Sequence, residues 1–164
     1  MKSLYIIRHA NANKEVGQVK DFDRTLTQKG CQEAKMMALI LKINDIKPDL
    51  VVSSPAARAR ETAIYFAEAL DYPAENIQLE MGIYSAEPSD LLEIIQQIDD
   101  IYHSVLVIGH NPAVSYFTST FQKDSTETMP TCGIVCIKLD ADNWSKLSPE
   151  KAYVANRWST ADFS

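Results

Sequence analysis

The chain is short of cysteine, of basic charge and of long apolar runs, and each shortage closes off a class of function. Its three cysteines, Cys31, Cys132 and Cys136, make no even set for a disulfide framework, and an odd number points to free thiols in a reducing compartment. Cys132 and Cys136 would need further ligands nearby to hold a metal; four apart on one face of a strand, they read as small core residues. Lys and Arg number 16 against 22 Asp and Glu, a formal charge of -6. That balance excludes a general nucleic-acid binder, whose affinity comes mostly from cations neutralising phosphates. Any anion site must therefore be local. No apolar stretch approaches the roughly 20 residues of a membrane span, and Met1-Lys2-Ser3-Leu4 opens a short apolar run that ends at once in Arg8-His9, unlike a signal peptide. The expectation is a soluble, cytoplasmic protein with no membrane partner.

What remains is ordinary for a globular chain, with 46% hydrophobic and 23% charged residues. A length of 164 residues suffices for one sizeable core and is too short for two, so a single domain over 1–164 is predicted. Apolar runs at 3–7, 49–53 and 104–109, with a shorter one at 77–79, read as strands. Helical spacing carries Ala34, Met37, Ala38 and Leu41, then Ala59, Ala63, Phe66 and Leu70, then Leu91, Leu92, Ile95 and Ile98, then Val114, Phe117 and Phe121. Thr27 opens the first of these helices; Ser54-Pro55 offers a cap to the second. Residues 10–26 and 82–88 read as loops, 122–130 is polar, and 131–139 and 152–158 read as two final strands around a turn at 140–143. The alternation predicts an α/β fold in three layers, a mostly parallel open sheet with helices on both faces.

Three of the strands end in polar residues that such a fold brings to one edge: Arg8 and His9, then Ser53-Ser54-Pro55 with Arg58, then Gly109-His110. Ligands of open α/β sheets bind beyond the carboxyl ends of the strands. A guanidinium fork suits phosphate, a neutral imidazole can act as nucleophile, acid or base, and a helix amino terminus after Ser54 adds free N–H groups. Phosphate is the guest this set predicts.

Other phosphate chemistries fail on the same sequence. A cysteine nucleophile needs Arg six residues on, yet Cys31, Cys132 and Cys136 are followed there by Met37, Lys138 and Asp142. Asp21-Phe22-Asp23-Arg24-Thr25 matches the Asp-x-Asp-x-Thr form of aspartate-nucleophile phosphatases, but no buried strand precedes it, and the match reads as chance. There is no Gly-x4-Gly-Lys-Ser/Thr run for nucleotides and no His-Glu-x-x-His for zinc.

Taken together, Arg8-His9-Ala10, Asp23-Arg24-x-Leu26-Thr27-x-x-Gly30, Ser54-Pro55-x-x-Arg58-Ala59-x-x-Thr62, Tyr84-Ser85-Ala86 and Gly109-His110-Asn111-Pro112 resemble the histidine phosphatase superfamily, of phosphoglycerate mutase-like fold. The short chain and the Arg-His-Ala form resemble its SixA-type phosphohistidine phosphatases. The resemblance implies that His9 is the nucleophile that takes the phosphoryl group, that Arg8, Arg58 and His110 hold it, and that Arg24 is a further phosphate contact. No metal or other cofactor is implied, since phosphoryl transfer is mainly positioning and charge stabilisation. His9 must then keep one nitrogen unprotonated while the other donates to a backbone carbonyl.

Two departures bear on substrate. Ala10 stands where the superfamily has Gly, which is tolerable only if φ there is not positive. Relatives acting on phosphomonoesters use a carboxylic acid after the third strand; Glu80 is the nearest candidate here, with its register off by one, and Glu87 and Asp23 are the alternatives. Phosphoimidazole is a labile donor that needs less help from an acid, so the expected substrate is a protein phosphohistidine, as on a histidine-phosphotransfer domain. The other readings are a small-molecule phosphomonoesterase and a non-catalytic phosphate-binding scaffold.

Overall fold

The computed structural model of the chain describes residues 1–123 and 127–163, so the polar stretch 122–130 lies partly outside the described residues. Six strands, β1 (Lys2–Arg8), β2 (Leu50–Ser53), β3 (Gln78–Leu79), β4 (Ser104–Gly109), β5 (Ile134–Leu139) and β6 (Ala152–Trp158), form one sheet in the order β3-β2-β4-β1-β5-β6. The first four are mutually parallel; β5 and β6 run antiparallel to their neighbours. Between them lie α1 (Gln28–Ile43), α2 (Ala57–Ala69), a short α3 (Met81–Tyr84), α4 (Pro88–Gln96) and α5 (Ala113–Ser119).

Strand β1 sits inside the sheet and is buried on both faces, which is why it reads as an unbroken apolar run rather than an alternating one. Its side chains still divide by parity. Leu4 and Ile6 join one core with Val105, Val107, Leu91, Ile95, Val114 and Phe117 of β4, α4 and α5. Tyr5 and Ile7 join the other with Leu106, Ile108, Ala34, Met37, Leu41, Ala63 and Phe66 of β4, α1 and α2. Helices thus cover both faces, and the expected three-layer α/β fold with a mostly parallel sheet is the observed one.

Local differences from the expected elements have physical causes. The hydroxyl of Thr27 does cap α1, accepting the Gly30 N–H at 3.0 Å. Ser54 does not cap α2: that helix begins at Ala57 behind Ala56 without a side-chain cap, because the Ser54 hydroxyl is engaged elsewhere. The predicted loop at 82–88 overlaps the end of α3, whose first turn is capped by Glu80 accepting the Gly82 N–H at 3.2 Å. The final strand pair is not joined by a tight turn. A 3-10 turn at Trp144–Lys146 lengthens the connection and buries Trp144 and Leu147 against the α4 side of the sheet. Cys132 lies before β5 rather than within it, in a left-handed conformation with φ 57°; both it and Cys136 are buried in the core against α1 and α2.

Candidate active site

Strand register sets the site. Arg8 of β1 pairs with Gly109 of β4, and Ser53 of β2 with Ile108 of β4, so three parallel strands stop at one level and His9, Ser54 and His110 leave the sheet together. The His9 N–H donates to the Gly109 carbonyl at 3.1 Å, and the Ser54 N–H to the Ile108 carbonyl at 3.0 Å. The two imidazole rings consequently lie with centroids 5.1 Å apart. Arg58 arrives from the first turn of α2. A cavity of about 250 Å³ is lined by Arg8, His9, Asn11, Ala12, Arg24, Arg58, His110, Asn111 and Thr131, which brings together Arg8, His9, Arg24, Arg58 and His110 as the sequence predicts.

Glu80 is not among them. Its side chain caps α3 and faces a separate cavity of about 500 Å³ with Gln78, Ile94 and Tyr102. Glu87 caps α4 in a capping box with Asp90. Both carboxylates are committed to helix ends, which is what an acidic residue just before a helix commonly does.

The imidazoles are held for use as uncharged groups. His9 Nδ1 lies 2.8 Å from the carbonyl oxygen of Ala10, an acceptor only, so that nitrogen carries the proton and Nε2 keeps its lone pair. Burial, reinforced by the nearby Arg58 and Arg8 guanidiniums, lowers the His9 pKa to about 4. Burial and the neighbouring His9 lower that of His110 to about 3. The Ser54 hydroxyl accepts the Ala56 N–H at 3.2 Å and lies 2.7 Å from His110 Nε2. Donation of the Ser54 proton to that nitrogen satisfies the hydroxyl as donor as well as acceptor and puts the His110 proton on Nδ1. Nδ1 of His110, Nε of Arg8 and Nε of Arg58 are buried without a partner in the protein. All three belong to residues that line this one cavity, so donors remain unspent at its wall, as an oxyanion site requires.

Each arginine is fixed at its far end. Arg8 donates to the Met129 carbonyl at 3.0 Å. Arg58 is 5% exposed, not on the surface as a first-turn helical arginine ordinarily is, and grips Asp21 twice, from Nη1 to its carbonyl at 2.8 Å and from Nη2 to its carboxylate at 3.2 Å. Asp21 also takes Arg24 Nε at 3.0 Å and the Tyr84 hydroxyl at 2.7 Å. The Tyr84 hydrogen bond, then the Arg58 and Arg24 charges, hold its carboxyl at about 2. In the sequence Asp21 is legible only as part of a chance phosphatase signature; the usable signal is its place three residues before Arg24, where a 3-10 turn at Asp21–Asp23 puts the two side chains together.

Two further residues position the site. Thr62 Oγ1 accepts the Ala10 N–H at 3.0 Å and donates to the Arg58 carbonyl at 2.7 Å, linking the loop after His9 to the helix that carries Arg58. Buried Glu33 accepts the Asn11 N–H at 2.9 Å and the Thr131 hydroxyl at 3.1 Å, tying two walls of the cavity. Ala10 is absent from the positive-φ positions among the described residues, so its side chain is unstrained. Among the same residues no group of three or more His, Cys, Asp or Glu side chains is placed to hold a metal ion, and no helix is long and apolar enough to cross a membrane.

The sequence model of the histidine phosphatase superfamily (branch 1) matches residues 4–80. The phosphohistidine phosphatase SixA of Escherichia coli is 30% identical over 159 residues, covering 89% of this chain and 93% of its own. An uncharacterised protein of Mycobacterium tuberculosis is 29% identical over 153 residues, covering 87% and 92%. Among solved structures, the protein histidine phosphatase SixA complexed with tungstate superposes with a TM-score of 0.84 at 23% identity, covering 99% of both chains. A mycobacterial glucosyl-3-phosphoglycerate phosphatase shares the fold at a TM-score of 0.68 and 12% identity, covering 94% of this chain and 97% of that one.

Proposed function

This phosphatase belongs to the histidine phosphatase superfamily, and we propose that its substrate is a phosphohistidine side chain on another protein, with His9 as the nucleophile. Nε2 of His9 attacks phosphorus, the bond to the substrate nitrogen breaks, and water later releases phosphate from His9. Arg8, Arg24 and Arg58 and the His110 Nδ1 proton spread over the equatorial oxygens, where the charge of the transferring group lies. These are fixed donors in a largely buried setting, where they are worth more than in water, and the proposed reaction draws on no metal.

The observation that carries the substrate assignment is that, among the described residues, no carboxylic acid lines the cavity of the two histidines. An alkyl phosphate leaves as an alkoxide unless it is protonated, so a phosphomonoesterase needs such an acid. The carboxylate that grips Arg58 and Arg24, Asp21, is ionised at neutral pH and has no proton to give. Similarity to SixA supports the same assignment. The ordered tautomer of His9 counts against a passive phosphate-binding scaffold, which would need no free ring nitrogen.

The test is incubation, with EDTA present, with a histidine-phosphotransfer domain carrying radiolabelled phosphate. Release of inorganic phosphate by the wild type and its loss in His9→Ala is the expected result, with an acid-labile label trapped on His9. Hydrolysis of sugar phosphates alongside an untouched phosphohistidine would overturn the assignment.

A further inference from the structure

The Asp21 carboxylate forms ion pairs with two of the arginines that line the phosphate cavity, Arg24 and Arg58. Its side chain is 41% exposed, so it stands at the rim, within reach of a docked substrate. Oδ1 takes two nitrogens of Arg24, at 3.0 and 2.9 Å; Oδ2 takes the Tyr84 hydroxyl at 2.7 Å and Arg58 Nη2 at 3.2 Å. The charged groups facing it are Arg24 of its own turn and Arg58 of α2, and the neutral titratable ones are Tyr84 of α3 and His110 beyond β4.

A carboxylate offers about four acceptor sites, and all are in use. The longest of the four contacts is to Arg58 Nη2, the nitrogen of a residue that also lines the phosphate cavity. Nη2 carries a second hydrogen for a phosphoryl oxygen, and Nη1 keeps Arg58 on the Asp21 carbonyl, so this longest contact is the one that an N–H of the substrate can displace on Asp21 Oδ2. Two hydrogen-bond lengths then separate Asp21 from the phosphoryl oxygens, about 6 Å, and an imidazole bonded to phosphorus through one nitrogen reaches across that gap with the other.

From this juxtaposition we propose that Asp21 recognises the leaving group: its carboxylate takes the place of Arg58 Nη2 with the distal N–H of the substrate imidazole and holds the phosphoimidazole protonated. The inference rests on the phosphohistidine reading above. In the step that follows, the P–N bond breaks and its electron pair passes to the ring nitrogen. Because the proton already sits on the other nitrogen, the ring departs as neutral imidazole rather than as an anion. The new P–N bond forms to His9 Nε2, while the His9 Nδ1 keeps its proton and donates it to the Ala10 carbonyl. A carboxylate that cannot act as a proton donor thereby does the work of an acid. It also disfavours any leaving group that carries a negative charge of its own.

The experiment compares wild type and Asp21→Asn on three small probes: N-phosphoryl imidazole, its N′-methylated cation, and phosphoglycolate as a competitive inhibitor. Asp21→Asn is expected to lower kcat/KM for phosphoimidazole by about a hundredfold, the scale of lost acid–base assistance. With the methylated probe, whose charge is permanent, the deficit in kcat should shrink to a few-fold. The Ki for phosphoglycolate should fall, since a negative charge has left the rim, and a damaged site would raise it. Asp21→Ser is read the same way if the Asn variant folds poorly. Equal losses on both imidazoles, or no loss on either, would overturn the assignment of Asp21 alone. A wild type inert towards phosphoimidazole would overturn the phosphohistidine reading and this inference with it.

Discussion

His9 Nδ1 and the carbonyl oxygen of the next residue, Ala10, are 2.8 Å apart, and this short loop within one dipeptide decides which nitrogen of the nucleophile is free. With burial and the neighbouring guanidiniums holding its pKa at about 4, His9 should stay neutral far below the usual histidine range. Heteronuclear NMR of labelled imidazoles should show His9 as the Nδ1–H tautomer at pH 7 and its titration centred near 4 rather than 6.5. The same depression links to stability. Between pH 6.5 and 4 the unfolded chain binds more protons at these histidines than the folded one, so stability is full above 6.5 and declines on acidification, by up to about 1.4 kcal/mol per pH step for each histidine. Thermal melts across that window should fall less steeply for His110→Gln than for the wild type.

Arg58 is held by Asp21 through two of its nitrogens while Nε stays free. Arg58→Ala should reduce kcat about 10² to 10³-fold, the usual effect of deleting one fixed oxyanion donor, and weaken inhibition by inorganic phosphate in parallel. Arg58→Lys should recover little, because an ammonium cannot hold Asp21 with one arm and phosphate with another. Recovery to near wild-type turnover in the lysine variant would mean that only charge is required.

Much of this site is legible in the amino-acid sequence, and the reason is geometric. His9, Ser54 and His110 each follow an apolar run, and parallel strands joined by helices bring their carboxyl ends to one edge, so local pattern carries position with it. The carboxylates are not legible in that way. Glu80 stands after β3 at the place where an acid is looked for, yet the four residues that follow it turn into α3 and recruit it as a cap. Asp21 sits in a polar stretch without periodicity, and only the arrival of Arg58 and Tyr84 from 37 and 63 residues away gives it a role. The burial of Arg58 is hidden for the same reason, since the turn that covers it belongs to a distant loop.

Thr62 couples two of the catalytic candidates without facing the cavity. Its replacement by Val keeps the shape but orphans the Ala10 N–H in a fully buried place, a loss of about 1–3 kcal/mol. Melting temperature should drop accordingly. Because the hydroxyl also fixes the Arg58 carbonyl, kcat should fall more than KM rises. Thr62→Ser, which retains the oxygen, should restore most of the turnover; failure of Ser to do so would assign the effect to packing of the methyl group instead.

Gly30 is the second residue by which α1 shapes the site. A Cβ added there would run into the carbonyl oxygen of Asn11, whose backbone lies against the helix because it also receives the Thr27 N–H at 3.0 Å and gives its own N–H to Glu33. The obstacle is backbone on both sides, so no side-chain rotation relieves it. Gly30→Ala should therefore cost about 1–3 kcal/mol, as overpacking in a close-fitted region does, although Ala is the better helix former by about 1 kcal/mol. Displacement of Asn11 moves one wall of the phosphate cavity. Inorganic phosphate should then inhibit the variant more weakly than the wild type at a temperature where both are folded. An alanine variant of wild-type stability and phosphate affinity would show that the loop after His9 can retreat from α1 without consequence for the site.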